Sequence, residues 1–299
     1  MKRGREQLLL KVHQEEIGSV FRSALGQIVL GSPDTMNNWP SEERDSSLSL
    51  EPIAMVALEA GRMLMEAGAS ARKVEEIVQM VAHGLGAERA DLRVGYASLA
   101  VSISIGDSGI TRMCKVGDLG VNQRLDQELW YLAKRVSRAE LTLEQTRAQL
   151  TRLPAETPRH APWVVAVAVG LACAAFGRLL GMDWSSTVPV FLAATFAQCL
   201  RRELLKRHVN PFLSAALVSF LGSLLCGLGA RWAGSGTTTV AMLASILMLV
   251  PGVPALNAQS DILEGYPTLG SARAVTVAMT LVFIAAGLWI GPVLLSEGR

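Results

Sequence analysis

Past His160 the chain is dominated by five apolar runs, roughly Trp163–Leu180, Trp184–Leu200, Pro211–Ala230, Thr238–Val253 and Ala274–Leu295. Each is near the roughly 20 residues a helix needs to cross a bilayer. Lipid offers no hydrogen bonds, so a spanning backbone must pair within itself, and runs of this length do so as helices. These runs predict a mainly α membrane protein with a transmembrane domain of about five helices over 160–299. The second and fourth runs are short, which suits packing among other helices or a locally broken span. Gly170, Ala172, Ala174 and Ala175 in the first run, and Ala193, Ala194 and Ala197 in the second, allow helices to approach closely.

The fourth run breaks. Pro251 has no amide hydrogen and its ring clashes with the preceding turn, Gly252 adds backbone freedom, and Pro254 repeats the disruption. Backbone groups freed inside a membrane need protein or a water-lined cavity, and broken helices are how many transporters build substrate sites. A plain loop after a helix ending at Pro251 is the alternative. Asn257 and Asp261 follow four residues apart and share a face if helix resumes. Pro251, Gly252, Pro254, Asn257 and Asp261 are therefore the substrate-binding or gating candidates. A carboxylate buried there could titrate near neutral pH and couple proton movement to transport. Thr195 and Gln198, on neighbouring turns of the second run, could line a polar path or form an interhelical hydrogen bond. Arg178, near the end of the first run, could snorkel to the interface or face the bundle as partner to an anion.

Charge and composition narrow the classes. Of 299 residues, 18% are charged and the net charge is +2, which supplies no basic field for nucleic acid. Cys114, Cys173, Cys199 and Cys226 form no Cys-x-x-Cys pair, and the last three fall in apolar runs as small hydrophobes. His13, His83, His160 and His208 are scattered without zinc-ligand spacing, so no metal and no cofactor are expected. Neither a nucleophile elbow nor a phosphate loop is present. Glu59, Glu66, Glu75 and Glu76 read as a solvated helix face rather than paired catalytic carboxylates. The chain is not expected to be an enzyme. Arg152, Arg159, Arg201, Arg202, Lys206, Arg207 and Arg273 fall on one side of five spans, and Arg178, Arg231 and Arg299 on the other. That bias places the N-terminus in the cytoplasm.

The N-terminal half divides at about residue 50. Residues 1–50 read as an extension, with one amphipathic helix over Gln7–Leu30 and a polar linker over Gly31–Leu50, and no signal peptide is evident. Residues 51–155 read as a small cytoplasmic α+β domain. Pro52 opens a first helix running to Gly68, Ser70 caps a second, Tyr96–Ile105 and Ile110–Val116 form a hairpin around Gly106–Gly109, and Asn122 caps a third helix. A fourth, polar helix, Leu141–Leu153, leads to the membrane and ends at Pro154 and Pro158. Asp183 reads as a turn residue and Trp184 as an interface anchor.

Several stretches together resemble the threonine/serine exporter family of bacterial membrane proteins. They are Gly61-Arg62-Met63-Leu64-Met65-Glu66-Ala67-Gly68-Ala69 with Val74-Glu75-Glu76, then Gly120-Val121-Asn122, Arg207-His208-Val209-Asn210-Pro211 and Thr239-Val240-Ala241-Met242. The most specific is Leu249-Val250-Pro251-Gly252-Val253-Pro254-Ala255-Leu256-Asn257, with Asp261 where the family often has an acidic residue. Within the family the chain resembles the larger subunit of the branch whose exporter is split in two and associated with succinate export. The resemblance runs from about Glu51 to the C-terminus. It implies an inner-membrane, multi-pass location and export of a small carboxylate-bearing metabolite (succinate or threonine/serine); no ATP motif is visible, so an ion gradient is the expected energy source. It also implies a smaller membrane subunit as partner, since single-chain members carry a second membrane domain after this one; a homo-oligomer is a further possibility. The competing readings are a membrane-anchored sensing or scaffold subunit, or an enzyme whose cytoplasmic domain is catalytic.

Overall fold

The computed structural model describes residues 41–157 and 160–296. The expected helix Gln7–Leu30 and the linker up to Pro40 lie outside them. From Leu50 on, the described residues pack as one compact unit.

A helical hairpin opens it. Helix α1 spans Ser41–Ala67 and α2 spans Ala71–Gly84. The first helix thus begins ten residues before Glu51, and Pro52 lies inside it rather than at its first turn. On α2, Ala71, Val74, Ile77, Val78, Val81 and Ala82 are buried at helical spacing, the pattern that drives an amphipathic helix onto a core.

Three antiparallel strands follow in the order β1 (Arg89–Val94), β2 (Ser98–Ile105) and β3 (Ser108–Lys115). β2 alternates as expected, with Leu99, Val101 and Ile103 buried. Ile105 pairs with Ser108 across a two-residue turn, with Gly106 at φ 55°. β1, unforeseen from sequence, pairs Leu92 with Val101 and Val94 with Leu99.

Helix α3 (Gln123–Ser137) starts where Asn122 Oδ1 accepts the Leu125 amide. Helix α4 (Leu143–Glu156) starts on a reciprocal cap between Thr142 and Gln145 and contains Pro154. Both helices, α1, α2 and the sheet share a core around Leu58, Leu64, Ile77, Leu99, Ile103 and Leu129.

The apolar part comprises α5 (Pro162–Leu179), α6 (Thr187–Lys206), α7 (Pro211–Trp232), α8 (Thr238–Ile246), α9 (Gly252–Leu263) and α10 (Pro267–Ser296). Among the described residues, three segments, Pro162–Leu179, Pro211–Trp232 and Pro267–Gly291, are long and apolar enough to cross a membrane. α8 and α9, bent by 60°, make a fourth if counted as one span. α6 has 20 residues, but Arg201, Arg202, Glu203 and Lys206 crowd its last turns. α5 packs on α6, α6 on α7, and α10 on α7 and α9, while α8 sits among α5, α6 and α7. Small residues set these distances. A Cβ on Gly170 of α5 would meet the Phe191 carbonyl of α6 at 2.7 Å. Glycine therefore holds that crossing, as close packing in lipid requires.

Candidate functional site

The helix break is a specific turn. α8 tightens into a 3₁₀ turn over Leu247–Leu249, and the Val250 amide donates to the Leu247 carbonyl at 3.1 Å. Pro251 then takes φ −79° and ψ 68°, and the Gly252 amide donates to the Val250 carbonyl at 2.9 Å. This is an inverse γ-turn, a shape that proline's fixed φ favours. Helix resumes at Gly252, so Pro254 falls in the first turn of α9, where no amide is needed. It starts the second half rather than breaking the chain again. Gly252 and Pro254 are exposed and Pro251 is half-buried.

One α-helical turn separates Asn257 from Asp261, and both reach the turn between α1 and α2. Asn257 Nδ2 donates to the Gly68 carbonyl at 2.7 Å. Asp261 is fully buried; its Oδ1 accepts the Ala71 amide at 2.8 Å and its Oδ2 accepts Arg273 Nη1 at 2.5 Å. Arg273, also buried, donates from Nη2 to the Ala69 carbonyl at 3.1 Å. The Tyr266 hydroxyl donates to the Glu75 carboxylate, and the Tyr96 hydroxyl lies 3.3 Å from Thr276 Oγ1. Arg72 and Glu264 approach to 3.9 Å. The α9–α10 hairpin is thus clamped to the α+β part.

Local sequence explains why the α1–α2 turn can be held in this way. Gly68 ends α1 at φ 90°, and the Ala69 amide reaches back to the Leu64 carbonyl at 3.1 Å. A Cβ at Gly68 would also collide with the Gly120 carbonyl. Ser70 holds the cap position of α2 in extended conformation, yet its side chain makes no capping bond. Asp261 takes that duty from 190 residues away, placing a carboxylate at the positive end of the helix. The apolar surroundings make the Asp261–Arg273 pair expensive to break, since either charge left alone would be buried without a partner.

The remaining expected site residues lie elsewhere. Arg178 sits at the opposite end of the bundle, donating to the Met182 carbonyl with its guanidinium 4.2 Å from the Trp184 ring centre. Thr195 Oγ1 donates to the Phe191 carbonyl of its own helix at 2.7 Å, and Gln198 is half-buried one turn further on. The break, Asn257 and Asp261 come together; Arg178 does not join them.

Two further clusters have roles their sequence signal understated. At the end of the bundle near Arg178, Asp183 accepts from Ser235 Oγ at 2.8 Å, the Gly236 amide at 2.9 Å, Ser185 Oγ at 3.0 Å and the Ser186 amide at 3.2 Å. Desolvation pushes its carboxyl up, but the bonds from Ser235, Ser185, Ser186 and Gly236 together outweigh it and hold the group below the usual carboxylate range. Within the α+β part, Arg62 binds both oxygens of Glu59 at 2.6 and 2.9 Å and Glu66 at 2.7 Å, and Glu66 accepts the Gly117 amide at 2.9 Å. The Glu59 hydrogen bond leads the interactions that keep the guanidinium firmly protonated. Glu66 thus ties α1 to the segment just after β3, while Glu59 pairs with Arg62 inside its own helix.

No solved structure matches the chain. The family described as "Putative threonine/serine exporter" matches residues 55–295. "Probable succinate transporter subunit YjjP" of Escherichia coli is 28% identical over 245 residues, covering 79% of this chain and 94% of that protein. Its counterpart in Klebsiella aerogenes is 27% identical over the same shares. An uncharacterised protein of Haemophilus influenzae is 24% identical over 132 residues, 44% of each chain. The family match takes in the hairpin, the sheet, the break and the clamp, and the chain belongs to the threonine/serine exporter family of membrane transporters.

Proposed function

We propose that this chain is one subunit of a two-component exporter that carries succinate, or a related small carboxylate such as threonine or serine, out of the cell across the bacterial inner membrane. The second component is a smaller membrane subunit, and an ion gradient drives the pair. α5, α6, α7, the bent α8–α9 pair and α10 are the five crossings. The α+β part and the charged end of α6 face the cytoplasm, in line with the bias of basic residues toward that side.

The observation that carries this reading is the bent helix whose second half is clamped, through Asn257 and Asp261, to the turn between α1 and α2. A bent span held at one end by a soluble part has the layout of a gate. In the clamped state Asp261 is engaged by Arg273 and the Ala71 amide, which makes it a gating group. A substrate carboxylate is not expected at that carboxylate.

The test is efflux of labelled succinate, threonine and serine from preloaded cells carrying this chain with and without its small partner, beside D261N. Efflux of one substrate only with both chains, lost in D261N while both chains remain inserted, supports the reading. Intact efflux in D261N with lost complex formation favours a scaffold. Silence of the wild-type pair toward all three substrates, with both chains inserted, overturns it for this panel.

A further inference from the structure

Arg201 stands apart from the other basic residues at its end of the bundle. Val190, Ala193, Ala194 and Ala197 form the buried stripe of α6. Arg201 lies four residues after Ala197 and three before Leu204, on the same face. Ala197, Leu200 and Leu204 pack in one cluster with Ile246 and Leu249, the last residues of the α8 rod before the break. Arg201 is half-buried on this face, whereas its neighbour Arg202 is exposed.

Among the described residues, the other basic side chains at least partly buried all have partners. Arg62 and Arg112 hold glutamates, Lys73 holds Asp126 and Arg273 holds Asp261. Lys134 lies over Trp130, and Arg178 holds a carbonyl and a ring. Arg201 has no hydrogen bond or ion pair among the described residues. Gln198, three residues before it and also half-buried, has no bond of its own there either. A guanidinium partly screened from water gains from an anionic partner, and its planar fork matches a carboxylate. The chain turns through 60° just beyond Leu249, so the rod that packs with Ala197, Leu200 and Leu204 ends along the stretch of α6 that carries Arg201.

We propose that Arg201, with Gln198 one turn away, binds the carboxylate of the exported substrate at the point where the broken helix leaves the bundle. Arg201 supplies the paired N–H donors and Gln198 an amide donor. Arg202, which faces outward, contributes only to orientation in the membrane. This rests on the exporter reading above. A phosphate of the surrounding lipid offers the same anionic chemistry, and the test separates the two.

The experiment uses the full chain with its small partner in vesicles of phosphatidylcholine, with and without phosphatidylglycerol. R201Q is expected to lower succinate transport about tenfold or more, the effect of losing one charge-assisted pair. R201K, keeping the charge without the fork, should fall between, and R202Q should stay within about twofold of wild type. In the wild-type complex, succinate should slow modification of Arg201 by phenylglyoxal, read by peptide mass mapping, while a neutral analogue should not; this arm requires no variant to fold. Transport by R201Q equal to wild type, equal losses in R201Q and R202Q, or protection of Arg201 by phosphatidylglycerol but not by succinate would each overturn the assignment. If the wild-type pair transports no carboxylate, the exporter reading fails on its own, and the protection arm still decides Arg201.

Discussion

The two ends of the apolar bundle are each fastened around one aspartate, and they are built differently. At one end Asp261 is fully buried and meets a buried arginine and one backbone amide. At the other, Asp183 is only half-buried and gathers hydroxyl and amide donors from two short connections. The first joint concentrates its energy in one charge pair that is either made or broken. The second spreads it over several bonds that can be lost one at a time with water ready to replace them. A two-state element needs the first construction, and a fixed hinge point tolerates the second.

The largest expected effect tests the concentrated joint. R273A should destabilise the folded chain by about 3–5 kcal/mol, since it strands a buried carboxylate. D261N combined with R273Q should recover much of that loss, because no lone charge remains. Thermal unfolding in detergent measures both, and an R273A variant as stable as wild type would break the distinction between the ends. G68A comes next, with an expected cost of about 1–3 kcal/mol from its left-handed backbone, aggravated by the Gly120 carbonyl. Its unfolding curve should shift together with faster proteolysis at the α1–α2 turn. N257A removes one hydrogen bond to the same turn and should cost about 1 kcal/mol.

The smallest effect belongs to the distributed joint and is read through pH. The folded-state pKa of Asp183 is depressed, so its stabilising contribution is present above the ordinary carboxylate range, about 4. It is lost as pH falls through that range toward the folded value. D183N should therefore be slightly less stable near neutral pH and should flatten the acid limb of the stability profile. An unchanged acid limb would assign that pH dependence to other carboxylates.

Local chemistry was legible in the sequence, and long-range partnership was not. The break at Pro251 follows from one residue's missing amide, and the buried stripe of α2 follows from the spacing of Val74, Ile77, Val78 and Val81. Asn257 and Asp261 share a helix face as their spacing requires. Their target, the turn after Gly68, is invisible at 189 and 190 residues' distance. Arg273 carried only a topological signal, because nothing in its neighbourhood shows that it points back at Asp261. Ser70 had the right chemistry for a cap and was displaced by a stronger, distant acceptor. β1 was missed although it carries a strand signal: Arg89, Asp91 and Arg93 alternate with Ala90, Leu92 and Val94, the period-two pattern of a half-buried strand, and pairing with β2 fixes it. The early start of α1 at Ser41 likewise overrides the preference of Pro52 for a first turn.

The cap that Asp261 places on α2 has a consequence for the order of events during synthesis. Ala71 leaves the ribosome 190 residues before the carboxylate that receives its amide. At bacterial-to-eukaryotic elongation rates of about 5–20 residues per second, that interval is roughly 10–40 s. Throughout it the first helical hairpin waits with an open amide, while the apolar segments are being threaded into lipid. Completion of the α+β part is therefore timed by the last helices of the chain, and a nascent protein whose final hairpin fails to dock keeps an unsealed helix end exposed to proteases.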